Sequence, residues 1–275
     1  MKKVRMLFVS QEITPYLDET EMSIISRNLP QGILEAGKEI RTFMPRYGCI
    51  NERRHQLHEV IRLSGMNLII NDFDHSLIIK VASVPTARMQ VYFIDNEDYF
   101  SRNRKSLITD KNGNIFTDTD ERIIFFCRGV IETVRKLGWA PHIVHCHGWM
   151  TSLIPMYLKR SFADDPLFAE SRVIYSMYND EFQQPLNKEF SDKVYFEGIE
   201  KDDVKWLKSN TYAGLIKTAI DFSDAVIKVC PEINSEVERY IQKTGRFVLE
   251  HPGEDYIDTY NAFYDEVLSE EAVFA

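Results

Sequence analysis

The chain has 275 residues, 44% of them hydrophobic, so it can build a sizeable core. This length favours one large α/β domain with insertions over two full domains. The formal net charge is −9. That balance argues against nucleic acid or an anionic membrane surface as a partner, because binding to phosphate groups needs a positively charged face.

The sequence shows none of the usual signals for export. The apolar run after Met1 is too short for a signal peptide, and no run approaches the length of a membrane span. The four cysteines show no paired spacing, so a disulfide framework is not indicated. The sequence therefore predicts a soluble cytoplasmic protein.

The amino-terminal part has the pattern of a βαβ unit. Residues 4–10 are an apolar run typical of a buried strand, and residues 39–44 predict a second strand. Apolar residues at helical spacing lie between them, with Asp18 and Thr20 as candidate caps and Gly37 as the end. Pro30 should kink that helix or divide it in two.

Four short apolar segments follow within residues 53–94, closely spaced and separated by turn signals. Their spacing predicts an antiparallel insertion that returns to the sheet. From Asp120 to Gly138 the apolar residues recur at helical spacing. This pattern predicts a long amphipathic helix.

The centre of the chain combines a buried strand with two histidines. Ile143 and Val144 with their neighbours predict the strand, which places His145 and His147 near its carboxyl end. Thr151 or Ser152 is a candidate cap for the next helix. Ligands bind at the carboxyl ends of strands in open parallel sheets. A histidine there is also often a structural group bonded to the backbone, so the residues leave both roles open.

The remaining residues continue the alternation of strand and helix. Strands are predicted at 173–177 and 225–229, and helices at 210–222, from Pro231 to about Gln242 and at 255–268. The alternation predicts an α/β fold with a doubly wound, mostly parallel, Rossmann-like sheet. We divide the chain into a domain of residues 1–250 and a carboxy-terminal amphipathic helix and tail of residues 251–275. The apolar stripe of that helix should pack on this domain or on a second subunit.

Polar and aromatic side chains follow several predicted strands. They are Glu12, Arg46, Tyr47, Asp95, Asn96, His145, His147, Asn179 and Asp180. Because the carboxyl ends of parallel strands meet at one edge of a sheet, we expect these side chains on one edge. Such groups match the hydroxyls of a sugar. The alternative is that they are ordinary polar loops.

The two histidines do not predict a metal site. On a strand His145 and His147 share one face and Cys146 points to the other. Only two ligands would converge, fewer than a zinc site needs. No metal and no cofactor are predicted, and Cys146 is expected to be a small buried hydrophobe.

Several segments carry specific motifs. Residues 145–149 are His-Cys-His-Gly-Trp, residues 10–15 are Ser-Gln-Glu-Ile-Thr-Pro, residues 45–48 are Pro-Arg-Tyr-Gly, and residues 92–96 are Tyr-Phe-Ile-Asp-Asn. In this order they resemble the glycogen and starch synthases of the ADP-glucose type, where the first motif is normally His-Ala-His-Asp-Trp. The similarity covers most of residues 1–240.

The resemblance implies both a fold and an activity. Enzymes of that family have two Rossmann-like domains and transfer glucose from ADP-glucose to an α-1,4-glucan, and this chain corresponds to the amino-terminal domain only. The resemblance implies that His147 is the catalytic residue and contacts the transferred sugar. It implies substrate contacts from Glu12, Tyr47, Asp95, Asn96, His145 and Asn179. The implied partner is an α-glucan or maltooligosaccharide.

Three departures from the family concern the nucleotide donor. The family's Lys-Thr-Gly-Gly-Leu loop binds phosphates through backbone amides and a lysine, whereas residues 18–22 here are Asp-Glu-Thr-Glu-Met. Gly148 replaces an aspartate and Tyr178 a histidine on the same rim. These changes disfavour ADP-glucose, so we expect that the chain does not transfer glucose alone.

The sequence leaves two functions open. The first is a glucosyltransferase domain of glycogen biosynthesis that needs a second domain from another chain. The second is a non-catalytic glucan-binding or regulatory subunit that pairs with a complete glycogen enzyme. Either function allows for a protein partner or a homo-oligomer.

Overall fold

The computed structural model describes residues 3–100 and 107–269. Its strands are β1 (Arg5–Ser10), β2 (Glu39–Pro45), β3 (His58–Glu59), β4 (Met66–Ile70), β5 (Phe73–Val84), β6 (Met89–Asp95), β7 (Ile143–His147), β8 (Arg172–Met177), β9 (Ala225–Lys228) and β10 (Phe247–Glu250). Its helices are α1 (Glu21–Glu35), α2 (Glu97–Phe100), α3 (Thr119–Leu137), α4 (Ile154–Lys159), α5 (Phe190–Lys193), α6 (Tyr212–Asp221), α7 (Ser235–Thr244) and α8 (Tyr256–Ser269). None of these helices is long and apolar enough to cross a membrane.

The strands form one sheet in the order β10-β9-β8-β7-β1-β2-β6-β5-β3, with β4 paired to β5. Neighbours from β10 to β6 in that order run parallel. Strands β3, β4 and β5 pair antiparallel. The predicted doubly wound, mostly parallel sheet is confirmed, and the antiparallel insertion lies between β2 and β6 as predicted.

The side chains of the central strands point alternately into two apolar layers. On β1, Met6 and Phe8 pack with α1 and α8, whereas Leu7 and Val9 pack with α3 and α4. Because both faces of the strand are covered, its sequence is a continuous apolar run. The loops that follow β1 and β7 therefore start from a fully packed centre.

Helix α1 contains a proline without being divided. Thr20 Oγ1 accepts a hydrogen bond from Ser23 N at 3.0 Å, and Ser23 Oγ accepts one from Thr20 N at 2.8 Å, which completes a capping box. The helix continues through Pro30 as one element, so the predicted division is wrong. Leu29 and Ile33 on either side of Pro30 are buried, and burial of one face gives a helix most of its stability.

Two helix starts differ from the prediction. Helix α7 begins after Asn234, whose Oδ1 accepts hydrogen bonds from two first-turn amides, and not at Pro231. After β7 the chain forms a 3-10 turn, in which Thr151 Oγ1 donates to Gly148 O at 2.7 Å. Helix α4 therefore starts later and without a side-chain cap, so neither predicted cap is used.

Two edge strands were poorly predicted. Strand β10 was not predicted at all, and only His58–Glu59 of residues 53–64 forms a strand. Strand β3 is exposed and has no apolar residue, whereas β10 is partly exposed and too short to give a clear strand pattern.

Helix α8 covers one face of the sheet. The side chains of its predicted stripe are all buried, namely Tyr256, Tyr260, Phe263 and Val267. A Cβ on Gly32 of α1 would lie 2.5 Å from Ile257 Cγ2, so the two helices are in close contact. Lys38 Nζ binds Asp265 Oδ1 at 2.6 Å and ties α8 to the chain before β2. The prediction that the stripe packs back on this domain is confirmed.

We expect Phe263→Ala to lower the free energy of unfolding by about 3–4 kcal/mol, because it leaves a cavity between α8 and the sheet. Glu266→Ala, an exposed position on the same helix, should change it by less than about 0.5 kcal/mol. Urea unfolding of the two variants measures both values. Equal losses would show that α8 is not held by this face.

Candidate functional site

The central strands β1 and β7 lie side by side, and the chain leaves them in opposite directions. From β1 it crosses through α1 to β2 on one side, and from β7 it crosses through α4 to β8 on the other. The loops after these strands diverge, and the point of divergence is where open α/β sheets bind ligands. We call the residues at this point the carboxyl-edge site: Gln11, Glu12, His147, Gly148, Asn179 and Asp180.

Gln11 connects the two diverging loops. Its backbone amide donates to His147 O at 3.2 Å, and its Oε1 accepts from Met150 N at 3.1 Å. Glu12, one of the predicted substrate contacts, is partly exposed and accepts from Thr20 Oγ1 at 2.9 Å. Gln11 therefore bonds the end of β1 to the loop after β7, while Glu12 is partly exposed to solvent.

His147 is the predicted catalytic residue, and it is completely buried. Its Nδ1 lies 2.8 Å from Tyr178 OH, and its Nε2 has no hydrogen-bond partner among the described residues. Burial lowers the pKa of His147 to about 3, so the ring is neutral at physiological pH. A neutral imidazole with one unused nitrogen can exchange a hydrogen bond with a sugar hydroxyl once the surrounding loops open.

His145 is engaged at both ring nitrogens. Nδ1 lies 2.7 Å from Tyr264 OH, and Nε2 lies 2.7 Å from Ser176 Oγ. Burial, and then the neighbouring ring of His147, holds the pKa of His145 well below its usual range. In this structure His145 has no exposed surface and no unused ring nitrogen, and its predicted substrate contact stays a prediction. The described residues contain no group of three or more His, Cys, Asp or Glu placed to hold a metal ion.

Three other predicted contacts lie at strand ends but are enclosed. Asp95 is buried, and its Oδ2 accepts from Arg46 Nε at 3.0 Å and pairs with Lys80 Nζ at 2.9 Å. Asn96 is also buried and caps α2 through Oδ1. Tyr47 is fully buried, and burial raises the pKa of its hydroxyl well above the usual value. In this structure none of the three presents a free surface to a substrate.

The exit from β8 supplies two polar groups with surface exposure. Asn179 is exposed, and its backbone amide donates to Cys230 Sγ at 3.3 Å. Asp180 is partly exposed, while its carboxyl group points inward and accepts from Tyr212 OH at 2.8 Å and from Trp149 N at 3.4 Å. Burial raises the pKa of Asp180 to about 7, against the opposing effect of the Tyr212 hydrogen bond.

Gly148 has a backbone that only glycine adopts without strain. Its φ is 82° and its ψ is 163°, a region that other residues essentially avoid. A Cβ there would lie 2.7 Å from Met22 Cε and 3.1 Å from Gln11 Oε1. The side chain of Met22 therefore occupies the space next to the turn where the resembling family has an aspartate.

Sequence reasoning missed one residue of the carboxyl-edge site, Gln11, and two residues that contact it, Met22 and Tyr212. Gln11 reaches the second loop only because β1 and β7 are neighbours, which no local pattern shows. Met22 has the spacing of an ordinary core residue of α1. Tyr212 lies 32 residues from its partner Asp180, so no local pattern links them. The polar residues that follow β8 were themselves a sign of a site at that strand end.

Comparisons with known proteins agree with the geometry. A family model described as the starch synthase catalytic domain matches residues 5–247. Glycogen synthase from Chlorobium limicola is 35% identical over 231 residues, covering 77% of this chain and 47% of that protein. Glycogen synthase from Chlorobaculum tepidum is 32% identical over 255 residues, covering 89% of this chain and 51% of that protein.

Among solved structures, the catalytic domain of starch synthase IV from Arabidopsis thaliana, bound to ADP and acarbose, superposes with a TM-score of 0.69. It is 16% identical and covers 96% of this chain and 50% of that chain, so it supports the fold. Fold and comparisons together define a doubly wound α/β domain, and the carboxyl-edge residues lie at its topological switch point. The chain belongs to the starch synthase catalytic domain family. It is a glycogen/starch-synthase-like catalytic domain that spans about half the length of the curated relatives it matches.

We expect Gly148→Asp to lower the free energy of unfolding by about 2–4 kcal/mol, through backbone strain and the collision with Met22. Gly65→Asp is the matched control, because Gly65 has a φ of +81° but nothing within 4 Å of its Cβ position. Urea unfolding should show the larger loss at Gly148. In the Gly148→Asp, Met22→Ala double variant the loss should be smaller than the sum of the two single losses. Additive losses would contradict the collision.

We expect Asp180→Asn to gain stability relative to the unmodified chain as pH rises. The folded pKa of Asp180, about 7, lies above the unfolded value, so its contribution is complete at low pH and is lost as pH rises through about 4 to 7. Urea unfolding at pH 5 and at pH 8 gives the free energy of unfolding of the variant and of the unmodified chain. The difference between the two proteins should change by about 2 kcal/mol between these pH values. The exposed neighbour variant Glu181→Gln should follow the unmodified chain. If the difference between Asp180→Asn and the unmodified chain is the same at both pH values, the raised pKa of Asp180 is contradicted.

Proposed function

We propose that this domain binds α-1,4-glucan at the carboxyl-edge site and serves glucosyl transfer in glycogen-type synthesis, and that it does not transfer glucose from ADP-glucose alone. The relatives suggest the ligand classes, since they are glycogen synthases and a starch synthase bound to ADP and acarbose. The observation that carries the proposal is the acidic amino end of α1.

Polar groups at the amino end of α1 already have hydrogen-bond partners within the protein. Thr20 accepts the amide of Ser23, and Glu12 in turn accepts the hydroxyl of Thr20. Glu21 lies in the first turn and accepts a hydrogen bond from Cys230 Sγ at 3.0 Å. The positive end of the helix dipole is therefore already matched by carboxylates.

A diphosphate at this helix end would meet like charges. Asp18 and Glu19 are exposed beside Glu12 and Glu21 in the chain leading into α1. Each close pair of like charges costs about 1 kcal/mol in water and about 4 kcal/mol near a protein surface. Repulsion of this size, with no lysine or glycine among residues 18–22 to offset it, disfavours a nucleotide donor at this end of α1.

A neutral glucan meets no such repulsion. Sugar hydroxyls donate to carboxylate and amide oxygens, and Glu12 and Asn179 both have exposed surface at the carboxyl-edge site. His147 would join them through its unused Nε2 when the loops held by Gln11 separate. Its neutral ring suits a hydrogen bond to a hydroxyl of the transferred sugar rather than a charge contact.

The test combines a binding and a turnover measurement on the purified chain. Millimolar maltoheptaose should shift NMR signals at Asn179 and Asp180, the Asn179→Ala variant should weaken the binding, and ADP at the same concentration should shift neither signal. Incubation with ADP-glucose and glycogen should give no transfer above the buffer rate. An absence of shifts with maltoheptaose would remove the glucan assignment. Robust turnover that His147→Ala abolishes would overturn the claim that the domain does not act alone.

A further inference from the structure

The ring of His147 has one hydrogen-bond partner in the described structure, and that partner is a tyrosine. Nδ1 of His147 lies 2.8 Å from Tyr178 OH, whereas Nε2 is buried and has no partner. Tyr178 OH has no second partner among the described residues. Because both side chains are buried, this one contact decides where the ring proton and the hydroxyl proton lie.

A doubly protonated ring does not fit these surroundings. Imidazolium has a proton on each nitrogen and accepts no hydrogen bond. The proton on Nε2 would be buried without an acceptor among the described residues, and the hydroxyl proton of Tyr178 would lose its acceptor, Nδ1. The ring of His145, whose centroid lies 3.9 Å away, offers no negative charge in return. Burial also lowers the pKa of His147 to about 3, so the ring carries a single proton.

The two neutral forms of the ring differ in which group donates the hydrogen bond. If Nδ1 carries the proton, it donates to the phenol oxygen of Tyr178, and the lone pair of Nε2 is unused. If Nε2 carries the proton, the phenol donates to the lone pair of Nδ1. The second form joins the stronger donor to the stronger acceptor, because a phenol is more acidic than a neutral imidazole and an imine nitrogen is more basic than a phenol oxygen. The distance of 2.8 Å agrees with it, since bonds donated by a hydroxyl are typically shorter than bonds donated by N–H.

We propose that Tyr178 is a positioning residue, which donates its hydroxyl proton to Nδ1 of His147 and so holds the ring in the form with its proton on Nε2. The ring then presents a hydrogen-bond donor, and not an acceptor, at the end of β7. The resembling family has a histidine where this chain has Tyr178, and a histidine can itself donate or accept, whereas the neutral phenol always has a proton to donate. What this donor does for a ligand rests on the proposed function, in which it meets an oxygen of the sugar.

The proposal is tested by NMR of the whole ¹⁵N-labelled chain near neutral pH, without any sugar. Long-range ¹H–¹⁵N correlation distinguishes a protonated from an unprotonated ring nitrogen, and the His147→Gln variant identifies the signals of His147. We expect Nε2 to be protonated and Nδ1 to be unprotonated. In Tyr178→Phe the Nδ1 signal should move downfield, to the position of an imine nitrogen without a hydrogen bond. Tyr264→Phe is the matched control, because it removes the buried hydroxyl that lies against His145 instead, and it should leave the Nδ1 signal of His147 nearly unchanged.

A proton on Nδ1 of His147 in the unmodified chain would overturn the proposal. It is also overturned if Tyr178→Phe leaves the Nδ1 signal in place, or if Tyr264→Phe moves it as far, since the effect would then not belong to Tyr178. Backbone amide spectra check that each variant keeps the fold, and the unmodified chain alone decides where the proton lies if Tyr178→Phe does not fold. Because no sugar is present, a failure to bind glucan would overturn the proposed function and leave this result unchanged.

Discussion

The buried hydrogen bonds between β7 and its neighbours hold the centre of the sheet and its ligand edge together. His145 bonds to Tyr264 of α8 through Nδ1 and to Ser176 of β8 through Nε2. The ring of His147 lies 3.9 Å from that of His145 and bonds to Tyr178. A buried polar group that loses its partner costs about 1–3 kcal/mol, so these groups depend on one another. Helix α8 therefore sets the orientation of His145, against which His147 packs.

The same burial decides what the histidines can do. Both rings have lowered pKa values and are neutral, and two charged rings this close would repel each other. Three of their four nitrogens are paired, and only His147 Nε2 is left without a partner in the described structure. A single unsatisfied atom within an otherwise complete network is the kind of defect that a functional site retains. The network thus leaves one polar atom, His147 Nε2, without a partner at the end of β7 in the described structure.

Much of the fold follows from local sequence, whereas the site depends on long-range neighbours. The apolar run of β1 and the helical spacing of α3 identify covered elements, because burial determines which residues they can contain. The role of His145 could not be predicted, because its partner Tyr264 lies 119 residues away. Asp95 looked like a substrate contact, and its enclosure depends on Lys80, which belongs to the antiparallel insertion. Strand order, rather than residue type, decides these pairings.

The departures from the resembling family's donor loop converge on one place in the structure. Glu21 is bonded by Cys230, the space beside Gly148 is filled by Met22, and the hydroxyl of Tyr178 occupies Nδ1 of His147. These three changed groups have partners inside the domain, whereas a phosphate site must leave amides and cations unpaired. Restoring one family residue would break an internal contact before it created an external one. On the proposed function, packing and charge of the whole rim together set the preference against the nucleotide donor, so no single substitution should reverse it.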